Sequence, residues 1–339
     1  MGEAIINSRF GDFPGVTPPI EALKCLRGDA AEDDPIFVCA PHRSRGTYLQ
    51  RLLNFHPQVV IWGEHGGWIN KLAELEGIGE RQARARVAPT AAEVESFRGK
   101  QLGALLEFNP WLNPLQPAQL REHHRRLLTG VFRQGLADDQ RWGLKEIRYN
   151  APATTAFLAA LYPRAQFLIL RRDLTELCVS NILAEWSAQR LVQMRAGETA
   201  GSAREVLSDC AYALCVIDAQ LQRSLEQLGA RALEITASDV TGSMAAVFEF
   251  LNLVPPDGYA ETAALLSRYP LGATPKDLAV GLLDQAYVRE CAPAMIAEAQ
   301  TEISRRGPDL ARLRGLAGGR YSFLVGDHDL LGTSLSSLF

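Results

Sequence analysis

The residues best suited to chemistry stand in one short run, His42-Arg43-Ser44-Arg45-Gly46-Thr47-Tyr48. Before it lies the uncharged stretch Pro35-Ile36-Phe37-Val38-Cys39-Ala40, which suits a strand covered on both faces; after it Tyr48, Leu49, Leu52 and Leu53 recur at helical spacing. The pattern is a buried strand, a tight basic turn and an amphipathic helix. A helix N-terminus presents unpaired backbone N–H groups and the positive end of the helix dipole, and both favour a phosphate. Arg43 adds a charge and Ser44 and Thr47 add hydroxyl donors, so the turn reads as an anion cradle. The competing reading is a basic turn kept for solubility. The Gly-x-x-x-x-Gly-Lys-Ser/Thr pattern is missing, so the lysine and the magnesium-bound hydroxyl of a nucleoside-triphosphate site have no counterpart.

A second basic turn follows Ala165-Gln166-Phe167-Leu168-Ile169-Leu170, the clearest central strand in the chain. Arg171-Arg172-Asp173 closes that strand, and Ser180 lies eight residues beyond Arg172 on the next helix. In open α/β sheets ligands bind outside the carboxyl ends of strands, so the two turns together make a site for a ligand with two separate phosphates. Alone, the second turn reads as a capped helix with a surface ion pair. Gly63-Glu64-His65 ends another short strand, Val59–Trp62, and brings a carboxylate and an imidazole to the same sheet edge, either of them a candidate general base. Lys145 sits in Trp142-Gly143-Leu144-Lys145-Glu146, a third short strand. Taken singly, each of these groups is more simply a solvated surface residue.

These strands alternate with helices. The run 153–161 is helical, as is the stretch from Leu174 to Trp186; residues 203–228 carry apolar positions at periods of three and four up to Gly229, and a strand over Ala232–Thr236 precedes a helix over Met244–Leu253. The alternation implies a parallel sheet flanked by helices. Residues 1–33 read as an irregular arm, and 70–140 as an inserted, polar helical lobe within a single domain of 339 residues. The net charge of −4 argues against a general nucleic-acid binder. Six scattered cysteines without a Cys-x-x-Cys pair read as reduced core thiols. No signal-like start and no long apolar run is present, which points to a soluble, cytoplasmic protein; a homo-oligomer stays open.

The order of these motifs resembles the sulfotransferases that use 3′-phosphoadenosine-5′-phosphosulfate (PAPS), in particular the branch of bacterial and tyrosylprotein sulfotransferases. Members typically read Pro-Arg-Ser-Gly-Thr-Thr-Leu-Leu, then His-Pro, then Gly-Glu. Here His42-Arg43-Ser44-Arg45-Gly46-Thr47-Tyr48-Leu49 runs without a gap to His56-Pro57, and Gly63-Glu64 follows. Leu170-Arg171-Arg172-Asp173 with Ser180 matches the later strand and Val-Arg-Asp block, and Lys145 matches a lysine ahead of it. Arg45 and Gly46 stand where Gly-Thr is usual, which displaces the glycine by one position and removes one hydroxyl. The C-terminal Arg-Lys-Gly-type loop is echoed only by Arg314-Gly315 or Gly318-Gly319-Arg320.

The resemblance implies a P-loop-like sulfotransferase fold with the helical lobe shaping an acceptor pocket, alongside Trp62, Trp68, Trp111 and Trp186. It implies PAPS as donor and 3′-phosphoadenosine-5′-phosphate (PAP) as product, held by Arg43, Ser44, Arg45, Gly46, Thr47, Tyr48, Arg172 and Ser180. It implies Glu64 as the base for an acceptor hydroxyl, His65 in reserve, and Lys145 with Arg43 on the charge that builds as sulfur transfers, with no metal needed. The acceptor expected is a small molecule such as a specialised metabolite. Two other classes stay open: a nucleotide-dependent kinase-like phosphotransferase and a non-catalytic 3′-phosphonucleotide-binding protein.

Overall fold

The structure is a computed structural model that describes residues 34–85, 90–98, 116–182, 202–268 and 285–316. Five strands, β1 (Ile36–Cys39), β2 (Val59–Trp62), β3 (Arg141–Glu146), β4 (Gln166–Arg171) and β5 (Ala232–Thr236), form one sheet in the order β2-β3-β1-β4-β5. Every pairing is parallel, with Val38 opposite Lys145 on one side and opposite Leu168 on the other. From β1 the chain steps to one side for β2 and β3, then to the other for β4 and β5. The crevice between β1 and β4 is therefore the topological switch point, and all five carboxyl ends lie along one edge.

Helices cover both faces because successive strand residues point in opposite directions. Ile36, Val38, Ile61, Leu168, Leu170 and Ile235 pack on α1 (Gly46–Asn54), and on two later helices that follow β5. Phe37, Cys39, Leu144, Phe167 and Ile169 pack on the opposite side. There the layer includes α2 (Trp68–Ala85), α4 (Pro117–Phe132), α5 (Pro152–Leu161), α6 (Leu174–Ile182) and α7 (Ala203–Leu228); α3 (Ala91–Arg98) lies between α2 and α4 in the chain. After β5 come α8 (Val240–Leu251), α9 (Tyr259–Arg268), α10 (Gln285–Arg306) and α11 (Leu310–Leu316). An aromatic cluster seats β1: the Phe37 ring lies 5.2 Å from Phe167 and 6.0 Å, edge-on, from Trp142.

Two elements of the expected lobe, α2 and α4, contribute Ile69, Leu128 and Phe132 to the same apolar cluster as Trp142, so their packing face is continuous with the sheet layer. The long helix α7 begins on a capping box, Ser202 accepting from the Glu205 N–H while the Glu205 side chain accepts from Ser202 N–H. Helix α8 starts four residues before the expected Met244, because Asp239 caps it through the Gly242 N–H. The five described cysteines carry free thiols. Among the described residues no helix is long and apolar enough to cross a membrane. The arm 1–33, Cys25, Trp111, Trp186 and Gly318-Gly319-Arg320 lie outside the described residues, as does the side chain of Arg314, while Gly315 stands in the backbone of α11.

Gly143 sits in β3 between β2 and β1, where an added Cβ would lie 2.3 Å from the Ile36 carbonyl oxygen and 2.5 Å from Ile61 Cδ1. A backbone atom in a buried sheet cannot step aside. Gly143→Ala is expected to cost about 1–3 kcal/mol or more, the range for overpacking a filled core; chemical denaturation measures it, with a lowered midpoint at unchanged slope.

Candidate active site

The turn after β1 is shaped by its own residues. Ser44 Oγ donates to the Pro41 carbonyl at 2.7 Å and is buried, so its hydroxyl builds the turn instead of pointing outward as the sequence pattern suggests. Arg43 and Arg45 both adopt left-handed backbone, at φ 63° and 64°. That conformation costs a side chain roughly 1–2 kcal/mol that glycine avoids, and the resembling family has glycine at the position of Arg45. The first intrahelical bond of α1 runs from the Leu49 N–H to the Arg45 carbonyl, which leaves the N–H groups of Gly46, Thr47 and Tyr48 ahead of it. The Tyr48 hydroxyl does not join this turn; it donates to the Ala263 carbonyl and meets Thr241, tying α1 to α8 and α9.

Lys145 rises from β3 beneath the turn. It is buried, its ammonium bonds the Glu64 carboxylate, and it lies 3.3 Å from Thr47 Oγ1. An ammonium out of water needs such partners. Gly46 makes room for it: a Cβ there would lie 3.1 Å from both Lys145 Cε and Ala40 Cβ. A side chain at Gly46 would therefore have to be met by a shift of a few tenths of an ångström in the lysine chain or in Ala40. Glu64 is exposed on its other side and has Arg148 at 3.9 Å.

His65 turns inward instead of toward Glu64's open side. Its Nδ1 lies 3.2 Å from the Gly63 carbonyl, which can only accept, so Nδ1 carries the proton and Nε2 accepts from the Tyr149 hydroxyl. Burial lowers its pKa from the usual 6.5, against the opposing pull of the Gly63 carbonyl and Glu146. Burial, with Glu146 adding to it, raises the Tyr149 pKa and keeps the phenol protonated.

Glu146, fully buried, accepts from the N–H groups of His65 at 3.1 Å, Gly67 at 2.9 Å and Ile147 at 2.9 Å, and from Arg148 at 2.7 Å. It fixes the loop that carries Glu64. Glu146, Arg148 and Tyr149 were not evident from the motifs; the signal available is the run Lys145-Glu146-Ile147-Arg148-Tyr149, which puts charge at the end of an apolar strand.

The second turn meets the first directly. Arg172 donates to the Arg43 carbonyl at 2.7 Å, and Arg43 Nε donates to Ser180 Oγ at 3.3 Å. Burial lowers the Arg172 pKa; Glu176 opposes the shift, while the fields of Arg45 and Arg43 add to it. Three guanidinium groups therefore share one small region. Arg171, by contrast, points away, paired with Asp218 at 2.9 Å, and Asp173 caps α6 through the Glu176 N–H. Both features of the capped-helix reading are present, and Arg172 shares in them through an ion pair with Glu176 at 3.7 Å. Among the described residues no group of three or more His, Cys, Asp or Glu side chains is gathered to hold a metal ion.

The fold and this edge define an α/β protein that gathers cations at its switch point beside a carboxylate–lysine pair. The chain belongs to the sulfotransferase family: that family's sequence pattern matches residues 35–253, well over half of the chain, and takes in every site residue described above. It is thereby a transferase of sulfuryl groups. Solved structures similar to it include sulfotransferase STF9 from Mycobacterium avium, at 16% identity over 82% of this chain and 77% of that one with a TM-score of 0.44. Sulfotransferase STF1 from Mycobacterium tuberculosis H37Rv is similar at 18% identity, over 80% and 78% of the two chains, with a TM-score of 0.39. A sulfotransferase from Alicyclobacillus acidocaldarius shows 15% identity over 86% and 98%, with a TM-score of 0.38. No curated protein matches the sequence.

The lowered His65 pKa has a definite sign for stability. As pH falls below about 6.5 the unfolded chain takes up this proton before the folded one does, so stability declines from there down to the folded pKa and is flat beyond it. His65→Gln removes that contribution. Urea midpoints measured between pH 7 and pH 5 should fall less steeply for the variant than for the unaltered protein.

Proposed function

We propose that the protein transfers the sulfuryl group of PAPS to a hydroxyl of a small-molecule acceptor, with Glu64 as general base. The observation that carries this reading is the direct joining of the two basic turns, Arg172 to the Arg43 carbonyl and Arg43 to Ser180, beside the Glu64–Lys145 pair. A donor with phosphates at both ends of its ribose fits this donor set: free N–H groups and Thr47 at the first turn, guanidinium groups and Ser180 at the second. When bound, that donor supplies an activated sulfuryl group on a phosphate leaving group.

The chain's own residues do the rest. Glu64, exposed on one side, receives the acceptor's proton. His65 has its one lone pair occupied by the Tyr149 hydroxyl, which favours Glu64 for that role and leaves His65 as part of the wall. As Glu64 becomes neutral it loosens its hold on Lys145, and the ammonium is released to the oxygen on which negative charge gathers. Arg43 adds positive charge from the turn. Trp68 and Phe132, whose rings lie 6.1 and 5.4 Å from His65, form the apolar packing behind it.

Titration calorimetry without magnesium should give binding of PAP and much weaker binding of ADP; equal affinities, or a requirement for magnesium, would instead favour a kinase-like phosphotransferase. Glu64→Gln is expected to lower kcat by roughly 10²–10⁴-fold, with PAP affinity little changed, as read by steady-state kinetics and titration together. Turnover intact in both Glu64→Gln and Lys145→Ala, with PAP binding lost in Arg172→Ala, would leave the site standing and remove this mechanism.

A further inference from the structure

Arg45 opens α1 in a left-handed conformation, yet its side chain leaves the turn. Its guanidinium donates to the Ser238 carbonyl at 3.3 Å, in the short turn that follows β5. In the sheet order, β4 lies between β1 and β5. A side chain that starts after β1 and ends beside the turn after β5 must pass the carboxyl end of β4, where Arg172 stands. Two further observations agree with this path. The field of Arg45 depresses the Arg172 pKa, ahead of that of Arg43. Among the described residues neither Arg43 nor Arg45 has a carboxylate partner, whereas Arg171 pairs with Asp218, and Arg172 and Arg289 both pair with Glu176. The partner Arg45 does have is a neutral carbonyl in an exposed turn, a bond that water or an anion readily replaces.

We infer that the Arg45 guanidinium serves the 3′-phosphate of the donor, as a strap from the first turn across the second, while only its backbone serves the 5′ side. The inference rests on the donor assignment proposed above. It adds a specificity residue at a position where the resembling family has glycine. The left-handed backbone makes the position unusually clean to test. Glycine adopts φ near +64° without strain, so Arg45→Gly keeps the shape of the turn and removes only the side chain.

Dissociation constants of PAP and of 5′-AMP, which lacks the 3′-phosphate, would be measured on the unaltered protein, Arg45→Gly and Arg45→Lys, with thermal melting alongside. Arg45→Gly should weaken PAP by roughly 10–100-fold, the range for one charge-assisted bond, leave 5′-AMP unchanged, and melt no lower than the unaltered protein; Arg45→Lys should recover part of the loss. Equal weakening of both nucleotides would make Arg45 a tether or a 5′-side ligand and overturn the inference, as would unchanged PAP affinity in a protein that still prefers PAP to 5′-AMP. If the unaltered protein shows no such preference, the donor assignment itself fails and the inference falls with it.

Discussion

A lysine ammonium taken out of water must be given a counter-charge and hydrogen-bond acceptors, and one half of the candidate site is arranged around that requirement at Lys145. Its carboxylate partner, Glu64, comes from the loop after β2, the neighbour of β3 in the sheet. The loop in turn is held by Glu146, the next residue along β3, through the N–H groups of His65 and Gly67. One strand therefore supplies both the cation and the anchor of its partner. The same side chain also lies close to Gly46, at the start of the helix that follows the central strand.

The other half of the site is held in an opposite manner. Where Lys145 is neutralised, Arg43, Arg45 and Arg172 are brought together with backbone carbonyls and one serine for company, and Glu176 compensates only Arg172. Mutual repulsion of guanidinium groups is tolerated because the sheet, Ser44 and the left-handed turn fix the backbone independently of the side chains. The result is a gradient of charge along the strand ends. Unbalanced positive charge lies toward the β4 side, and the balanced Glu64–Lys145 pair toward the β2 side.

Much of this was legible in the sequence because the governing patterns are local. Uncharged runs gave β1 and β4, periodic apolar positions gave α7 within the bounds observed, and a basic turn between strand and helix marked the edge. Motif order and the rule that ligands sit at strand carboxyl ends put Arg43, Ser180, Glu64 and Lys145 along one sheet edge, while the contacts of Arg43 with Ser180 and of Glu64 with Lys145 are legible only in the structure. What escaped depends on direction. Nothing in the residue types tells that Ser44 folds back on Pro41, that Tyr48 leans to Ala263, or that His65 faces Tyr149. Each is decided by which side of a turn faces the packed layer. Glu146 escaped for a related reason: a carboxylate beside a lysine reads as a surface pair until the backbone donors around it are seen.

The contact between Gly46 and Lys145 joins two positions far apart in the chain into one allotment of space. A methyl group gained at the first is room withdrawn from the second, and a shorter residue at the second would leave a hollow under the first. A change at either is felt at the other: a larger residue at Gly46 has to be met by a shift of a few tenths of an ångström in the Lys145 chain or in Ala40.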